Sequence, residues 1–266
     1  MPAAHQPEPL LHAEERGAGP PLVLAHGFTQ TGRVWGGIDR QLGAAFRVLA
    51  VDMPGHAGST SLSATAEEGA RLLVERGGRA DYVGYSMGAR VCLQAAVDHP
   101  ASIERLVLIS GTAGIDHPDD RAERRRSDEA LADQLDPPDG HPGIPVSTFV
   151  RRWLDRPLFD GIDPDKRGMD ERLRNTGTGL ASSLRLAGPG TQLPLWDRLD
   201  RLEVPVLVVT GARDAKFCAL GERLVGSIGA NATLAVVPSA GHAPHLQWPD
   251  QVTALIRTHL GAPARG

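Results

Sequence analysis

VGYSMGAR, residues 83–90, sets a serine between two glycines where an apolar run ends and a helical stretch begins. A G-x-S-x-G in that context is a nucleophile elbow, in which a strand turns sharply into a helix and presents the serine hydroxyl at the turn. Gly84 and Gly88 suit it because a Cβ at a strained, closely packed turn would collide with the backbone around it. Ser86 alone is equally compatible with an ordinary strand-to-helix turn, so the elbow needs partners elsewhere in the chain. Arg90 follows one helical turn later, on the helix face of Ser86.

Outward from the elbow, apolar runs bounded by turn residues recur: PLVLAHG (21–27), FRVLAVDMPG (46–55), DYVGYS (81–86), ERLVLISG (104–111), VPVLVVTG (204–211) and ATLAVVPSAG (232–241). Apolar residues on both faces predict buried parallel strands. Helical stretches such as Met87–Asp98 and Ala215–Ile228 separate most of them, which predicts an α/β class fold with a mostly parallel, doubly wound sheet. Residues 113–195 break the rhythm with RAERRRSDEALADQL, DPPDGHPGIP and FVRRWLDRPLF, none of which reads as a strand. This segment is expected to be a helical cap over the carboxyl ends of the strands, where open α/β sheets bind ligands. The expected division is a core at 1–112, a cap at 113–195 and the rest of the core at 196–266.

A formal net charge of −4 without a basic stripe argues against nucleic acid and anionic membrane surfaces as partners. The opening MPAAHQPEPL lacks a basic stretch followed by an apolar one, and no run of about 18 apolar residues occurs, so a cytoplasmic protein without a membrane anchor is expected. Cys92 and Cys218 have no C-x-x-C spacing and read as buried free thiols. The ten histidines are dispersed, and the H-x-x-H of 242–245 lacks an adjacent glutamate, so no metal is expected. Nothing in the sequence speaks to oligomeric state.

A serine hydroxyl needs a histidine to take its proton and a carboxylate to orient that histidine. In the chain order Ser–Asp–His each partner follows a later strand, and Asp214 after VPVLVVTGAR and His242 after ATLAVVPSAG stand at those places. Taken singly, Asp214 reads equally well as a helix N-cap and His242 as a loop residue; together, in order, they form a triad with Ser86. His245 is the rival base. An oxyanion hole takes one N–H from the loop after the first strong strand and one from the residue after the serine, which nominates Phe28 and Met87. His26 reads as structural, and His56, beside a Pro-Gly turn, as solvated or turn-stabilising.

In a helix expected over 121–136, Leu131 and Leu135 mark the buried face, and counting back seven places Arg124 on it. An ion pair with Asp128 at i+4 explains that position as well as a ligand does. Arg90 adds weight: two arginines near one cleft suit planar, bidentate binding of carboxylates, for which a neutral-lipid esterase has no use.

These residues resemble the 2-succinyl-6-hydroxy-2,4-cyclohexadiene-1-carboxylate synthases of menaquinone biosynthesis, within the α/β-hydrolase fold. The resemblance runs from about residue 21 to 250 through AHGFTQTGRVW, VDMPGHAGS, VGYSMGAR, RRRSDEA, WLDRPLF, LASSLRLAGPGTQLPLW, GARDAKF and AGHAPH. It implies loss of pyruvate from a small polycarboxylate substrate without a cofactor, with the triad acting as a base. It also implies that Arg90, Arg124 and Arg172 bind carboxylates and that Tyr85 and Trp153 line the pocket, with Arg174 as the alternative to Arg172. Ala89 and Ala57 depart from the family pattern, where glycine is usual. Lys216 reads equally as an anion contact or a solvated helix-start lysine. The competing expectation is a carboxylesterase or C–C bond hydrolase using Ser86 as a covalent nucleophile.

Overall fold

The computed structural model describes residues 10–261, so most of the opening segment, residues 1–9, lies outside the described residues. Strands β1 (Ala13–Arg16), β2 (Pro21–Ala25), β3 (Arg47–Val51), β4 (Ala80–Tyr85), β5 (Ile103–Ile109), β6 (Val206–Gly211) and β7 (Ala232–Val237) form one sheet in the order β1-β3-β2-β4-β5-β6-β7. Every neighbouring pair is parallel except β1 with β3. The central strands β4 and β6 are buried at every position, as runs apolar on both faces require. β1 was not among the expected strands. Its AEER has no apolar run, and an edge strand half open to water needs none.

In chain order the first helices are α1 (Ile38–Leu42), α2 (Ala66–Gly77) and α3 (Met87–Asp98). The insertion between β5 and β6 carries α4 (Pro118–Leu135), α5 (Val146–Leu154), α6 (Met169–Arg172) and α7 (Gly177–Ala187). After β6 come α8 (Ala215–Ile228), α9 (Pro244–Gln247) and α10 (Pro249–His259). Among the described residues no helix is long and apolar enough to cross a membrane.

Leu73 of α2, Leu93 of α3 and Leu224 of α8 fill the core on one face of the sheet. Ile38 and Leu42 of α1, with Val252 and Ile256 of α10, fill the other. A third cluster lies inside the insertion, where Ala132 and Leu135 of α4 meet Phe149, Leu180, Ala181 and Leu184. The buried stripe of α4 is Asp128, Ala132 and Leu135, while Leu131 is only half-buried. The stripe is therefore turned from the expected face, and Arg124 sits at its edge.

The two departures from the family pattern have different consequences. The Ala89 methyl is accommodated because Gly111 lies opposite: a Cβ on Gly111 would come within 2.8 Å of it. Ala57, by contrast, holds a φ of 38°, where an L side chain is strained. Replacing Ala57 with glycine is expected to raise stability by about 1 kcal/mol, the relief of strain exceeding the added chain entropy. A urea midpoint that falls would show the methyl to be worth more than its strain.

Candidate active site

Ser86 leaves β4 at φ 51° and ψ −105°, a conformation costing on the order of 1–3 kcal/mol at a non-glycine residue. Its N–H donates to the Ile109 carbonyl at 2.9 Å, and its carbonyl accepts from the Arg90 N–H at 3.1 Å, so β5 and α3 hold the turn. A Cβ on Gly88 would stand 2.0 Å from the Ala25 carbonyl oxygen, and one on Gly84 2.5 Å from that of Gly88. Only glycines let α3 start so close to β2.

β6 and β7 deliver the partners. His242 Nδ1 lies 2.8 Å from Asp214 Oδ2, and His242 Nε2 lies 3.1 Å from Ser86 Oγ. An ionised Asp214 accepts from Nδ1–H, which leaves Nε2 as the acceptor facing the serine hydroxyl. Asp214 also caps α8, its Oδ1 accepting from the Phe217 N–H at 3.2 Å, so the N-cap contact and the hydrogen bond to His242 coexist on one carboxylate. Burial alone would raise its pKa, yet the hydrogen bond and charge of His242, the Phe217 N–H and the Lys216 charge together hold it below the usual carboxylate range. Phe217 sets its ring 4.3 Å from the imidazole of His242, which screens that hydrogen bond from water.

His245 does not reach the serine. It is buried, its two ring nitrogens have no hydrogen-bond partner among the described residues, its ring centroid lies 4.1 Å from that of Tyr85, and burial, with the charges of Arg172 and His242, pushes its pKa down to about 3. His26 is structural, its Nδ1 bonded to the Gly27 carbonyl at 2.8 Å and its Nε2 accepting from the Met53 N–H at 3.0 Å. His56 is fully buried rather than solvated, and it does stabilise its turn, Nδ1 lying 3.0 Å from the Pro54 carbonyl. Cys92 is buried and Cys218 half-buried.

Met87 opens α3, so its N–H has no carbonyl within the helix to meet. In the loop after β2 the turn consumes the neighbouring amides, Gly27 N–H donating to Gln30 Oε1 at 2.9 Å and Gln30 N–H to the Gly27 carbonyl at 3.0 Å. Phe28 and Met87 both stand on the wall of a cavity of about 850 Å³ that also holds Ser86 and His242.

The same wall carries Arg90, Arg124 and Trp153. Arg90 is buried, donating from Nη1 to Gln192 Oε1 at 2.6 Å and from Nη2 to the Ala187 carbonyl at 2.9 Å. Arg124 Nε donates to Asp128 Oδ1 at 2.8 Å, so the ion pair and the cavity position coexist. Trp153 packs edge-on against Phe28 with centroids 5.0 Å apart. Lys216 reaches the wall as well.

Tyr85 and Arg172 stand behind the wall rather than on it. Arg172 is buried and donates to the Thr29 hydroxyl and, at 2.7 Å, to the Arg167 carbonyl, while Arg174 points outward to Glu171 at 3.2 Å. Beside Arg172, Asn175 Nδ2 donates to the Thr29 carbonyl at 2.8 Å, and its Oδ1 accepts from the Ala57 N–H at 2.9 Å. Asn175, and Gln192 of the GTQLPLW stretch, neither of which the sequence singles out as a site residue, tie the insertion to the core at the site.

The sequence profile of the alpha/beta hydrolase family matches residues 22–255. The chain is 31% identical over 253 residues to the 2-succinyl-6-hydroxy-2,4-cyclohexadiene-1-carboxylate synthase of Salmonella agona (strain SL483), covering 90% of this chain and 94% of that protein. It is 31% identical over 260 residues to the enzyme of the same name from Escherichia coli O1:K1 / APEC, covering 92% and 96%. Among solved structures, MenH from S. aureus superposes with a TM-score of 0.82 at 27% identity, over 94% of this chain and 98% of that one. Sheet, elbow and relatives agree: the chain belongs to the α/β hydrolase family and, within it, to the 2-succinyl-6-hydroxy-2,4-cyclohexadiene-1-carboxylate synthases.

Proposed function

We propose that this chain eliminates pyruvate from 2-succinyl-5-enolpyruvyl-6-hydroxy-3-cyclohexene-1-carboxylate to give 2-succinyl-6-hydroxy-2,4-cyclohexadiene-1-carboxylate. The observation that carries this reading is one cavity lined by Ser86 and His242, whose hydrogen bonds run on to Asp214, and by a buried arginine that bonds to no carboxylate among the described residues. The proton lost sits on C2, beside the succinyl carbonyl. As it leaves, C2=C3 forms, the C3=C4 double bond moves to C4=C5, and the C5–O bond breaks to release the enol of pyruvate. The step balances with a base and a proton and needs no cofactor.

Ser86 takes the proton and passes it to His242, which Asp214 orients; no acyl-enzyme forms. Negative charge growing on the succinyl oxygen is met by the N–H groups of Phe28 and Met87, which makes the C2 proton acidic. Arg90 and Arg124 take carboxylates, and Trp153 packs on the ring. Tyr85 and Arg172 hold the floor from behind.

Pyruvate release from enzymatically generated substrate tests the assignment. The expected result is release far above the rate without enzyme and little turnover of a short-chain chromogenic ester. Release no faster than the blank, together with rapid ester hydrolysis, would reassign the protein to the carboxylesterases of the fold.

A further inference from the structure

Arg90 is the most enclosed cation on the cavity wall, and among the described residues no carboxylate bonds to it. The other arginines there are paired: Arg124 with Asp128, and Arg223 with Asp116 while its guanidinium lies 3.7 Å over the Trp196 ring. The two acceptors of Arg90 are a side-chain amide and a backbone carbonyl, both neutral. Gln192 is itself buried, and its Nε2 has no hydrogen-bond partner among the described residues. An unpaired buried amide N–H is costly, so the oxygen of this side chain is retained against a penalty.

The segment bearing these acceptors is held from the insertion. Asp128 accepts from the Gly190 N–H at 3.3 Å through the oxygen that does not hold Arg124, and the Gln192 N–H closes on the Gly188 carbonyl at 3.3 Å. Gln192 therefore meets Arg90 from a fixed turn, 102 residues away in the chain. A carboxylate at position 192 would orient the guanidinium equally well but would cancel its charge. An amide orients it and leaves the charge intact. Two of the five N–H donors of Arg90 are used in this way, and among the described residues the other three bond to no acceptor, which leaves donors for a planar, bidentate contact.

We propose that Gln192 is a positioning residue that sets the specificity of the pocket for anionic substrates: its amide oxygen aims Arg90 while reserving the arginine's charge for a substrate carboxylate. This rests on the functional reading above. Gln192→Glu supplies the charge that the native side chain withholds, and Gln192→Met removes the aim but not the charge of Arg90. For pyruvate release, Gln192→Glu is expected to raise KM by about tenfold to hundredfold, the equivalent of one charge-assisted contact, with kcat within about threefold of wild type. Gln192→Met is expected to raise KM by only about threefold.

A second arm reads the seat without turnover: the melting temperature in succinate against sodium chloride of equal ionic strength. Succinate is expected to stabilise the wild type, to stabilise Gln192→Met less, and to leave Gln192→Glu unmoved, with all three sharing one far-UV circular dichroism spectrum. The proposal is overturned if Gln192→Glu keeps the wild-type KM, if its loss lies in kcat alone, or if Gln192→Met is impaired as much as Gln192→Glu. A wild type that is stabilised by succinate and releases no pyruvate would sink the substrate assignment and leave the Arg90 seat standing. A wild type that releases pyruvate and ignores position 192 would do the reverse.

Discussion

His242→Ala is expected to lower kcat for pyruvate release by about 10²–10⁴-fold, the range typical of a positioned general base, with KM little changed. Among the described residues the imidazole is the one group that links Ser86 Oγ to a carboxylate, and it does so at 3.1 Å on one side and 2.8 Å on the other. Without it the serine hydroxyl, far above neutral pH in its own ionisation, has no route for the proton it must accept and pass on. Arg90, Arg124 and Trp153 contact neither Ser86 Oγ nor the imidazole by hydrogen bond, so ground-state binding survives. Ser86→Ala should cost a comparable factor, and the double variant little more than either single one, because residues acting as one relay do not contribute additively. Steady-state kinetics of the three variants checks this. A double variant whose loss is the product of the single losses would mean that the two side chains act in separate steps.

The second large effect is acid instability. His26, His56 and His245 are buried and neutral, and burial pushes their pKa values down from 6.5 to about 4, about 3 and about 3. The charge of Arg172 adds to the lowering at His26 and His245, and at His56 so does repulsion from the neighbouring His26 ring once that ring is protonated. Below pH of about 6.5 the unfolded chain takes up protons at these three positions while the folded chain refuses them until pH of about 4 to 3. Stability is therefore full above the unfolded value and falls as pH drops through this window. Each histidine adds about 1.4 kcal/mol per pH unit to the slope once its unfolded form is protonated. Together they would consume a typical reserve of about 5–15 kcal/mol within a few pH units. Depression of the Asp214 pKa acts in the same direction at lower pH, its stabilising ion pair being lost as pH falls. Urea unfolding between pH 7 and 4.5 should show a steadily falling midpoint, and His56→Asn should make that fall shallower. A midpoint flat across the range would mean that these rings gain protons without cost in the fold.

The sheet and the hydrogen-bonded chain from Ser86 through His242 to Asp214 were legible because both are written locally. A buried parallel strand is a short apolar run, and the elbow, the acid and the histidine each sit within a few residues of the end of such a run. β1 escaped because the AEER of an edge strand carries no such signal. Arg90 and Arg124 could be placed by helical spacing alone, although the tilt of the α4 stripe toward Asp128 could not, since packing against α7 decides it. Gln192 and Asn175 were invisible as site residues. Their partners lie 102 and 118 residues away, and no spacing rule reports a contact made by folding an insertion back on its core. His56 misled for a related reason: its turn is polar in sequence, yet Phe28 and His26 close over the ring.

In the proposed function Ser86 relays a proton in an elimination rather than carrying an acyl group. Single-turnover pyruvate release, with enzyme in excess over substrate carrying deuterium at C2, tests it most directly. Release is expected to be clearly slower from the deuterated substrate than from the protiated one, because breaking the C2–H bond is the step the relay performs. Equal rates from the two substrates, with the mass of the protein raised by an acyl group on Ser86 during the reaction, would contradict it.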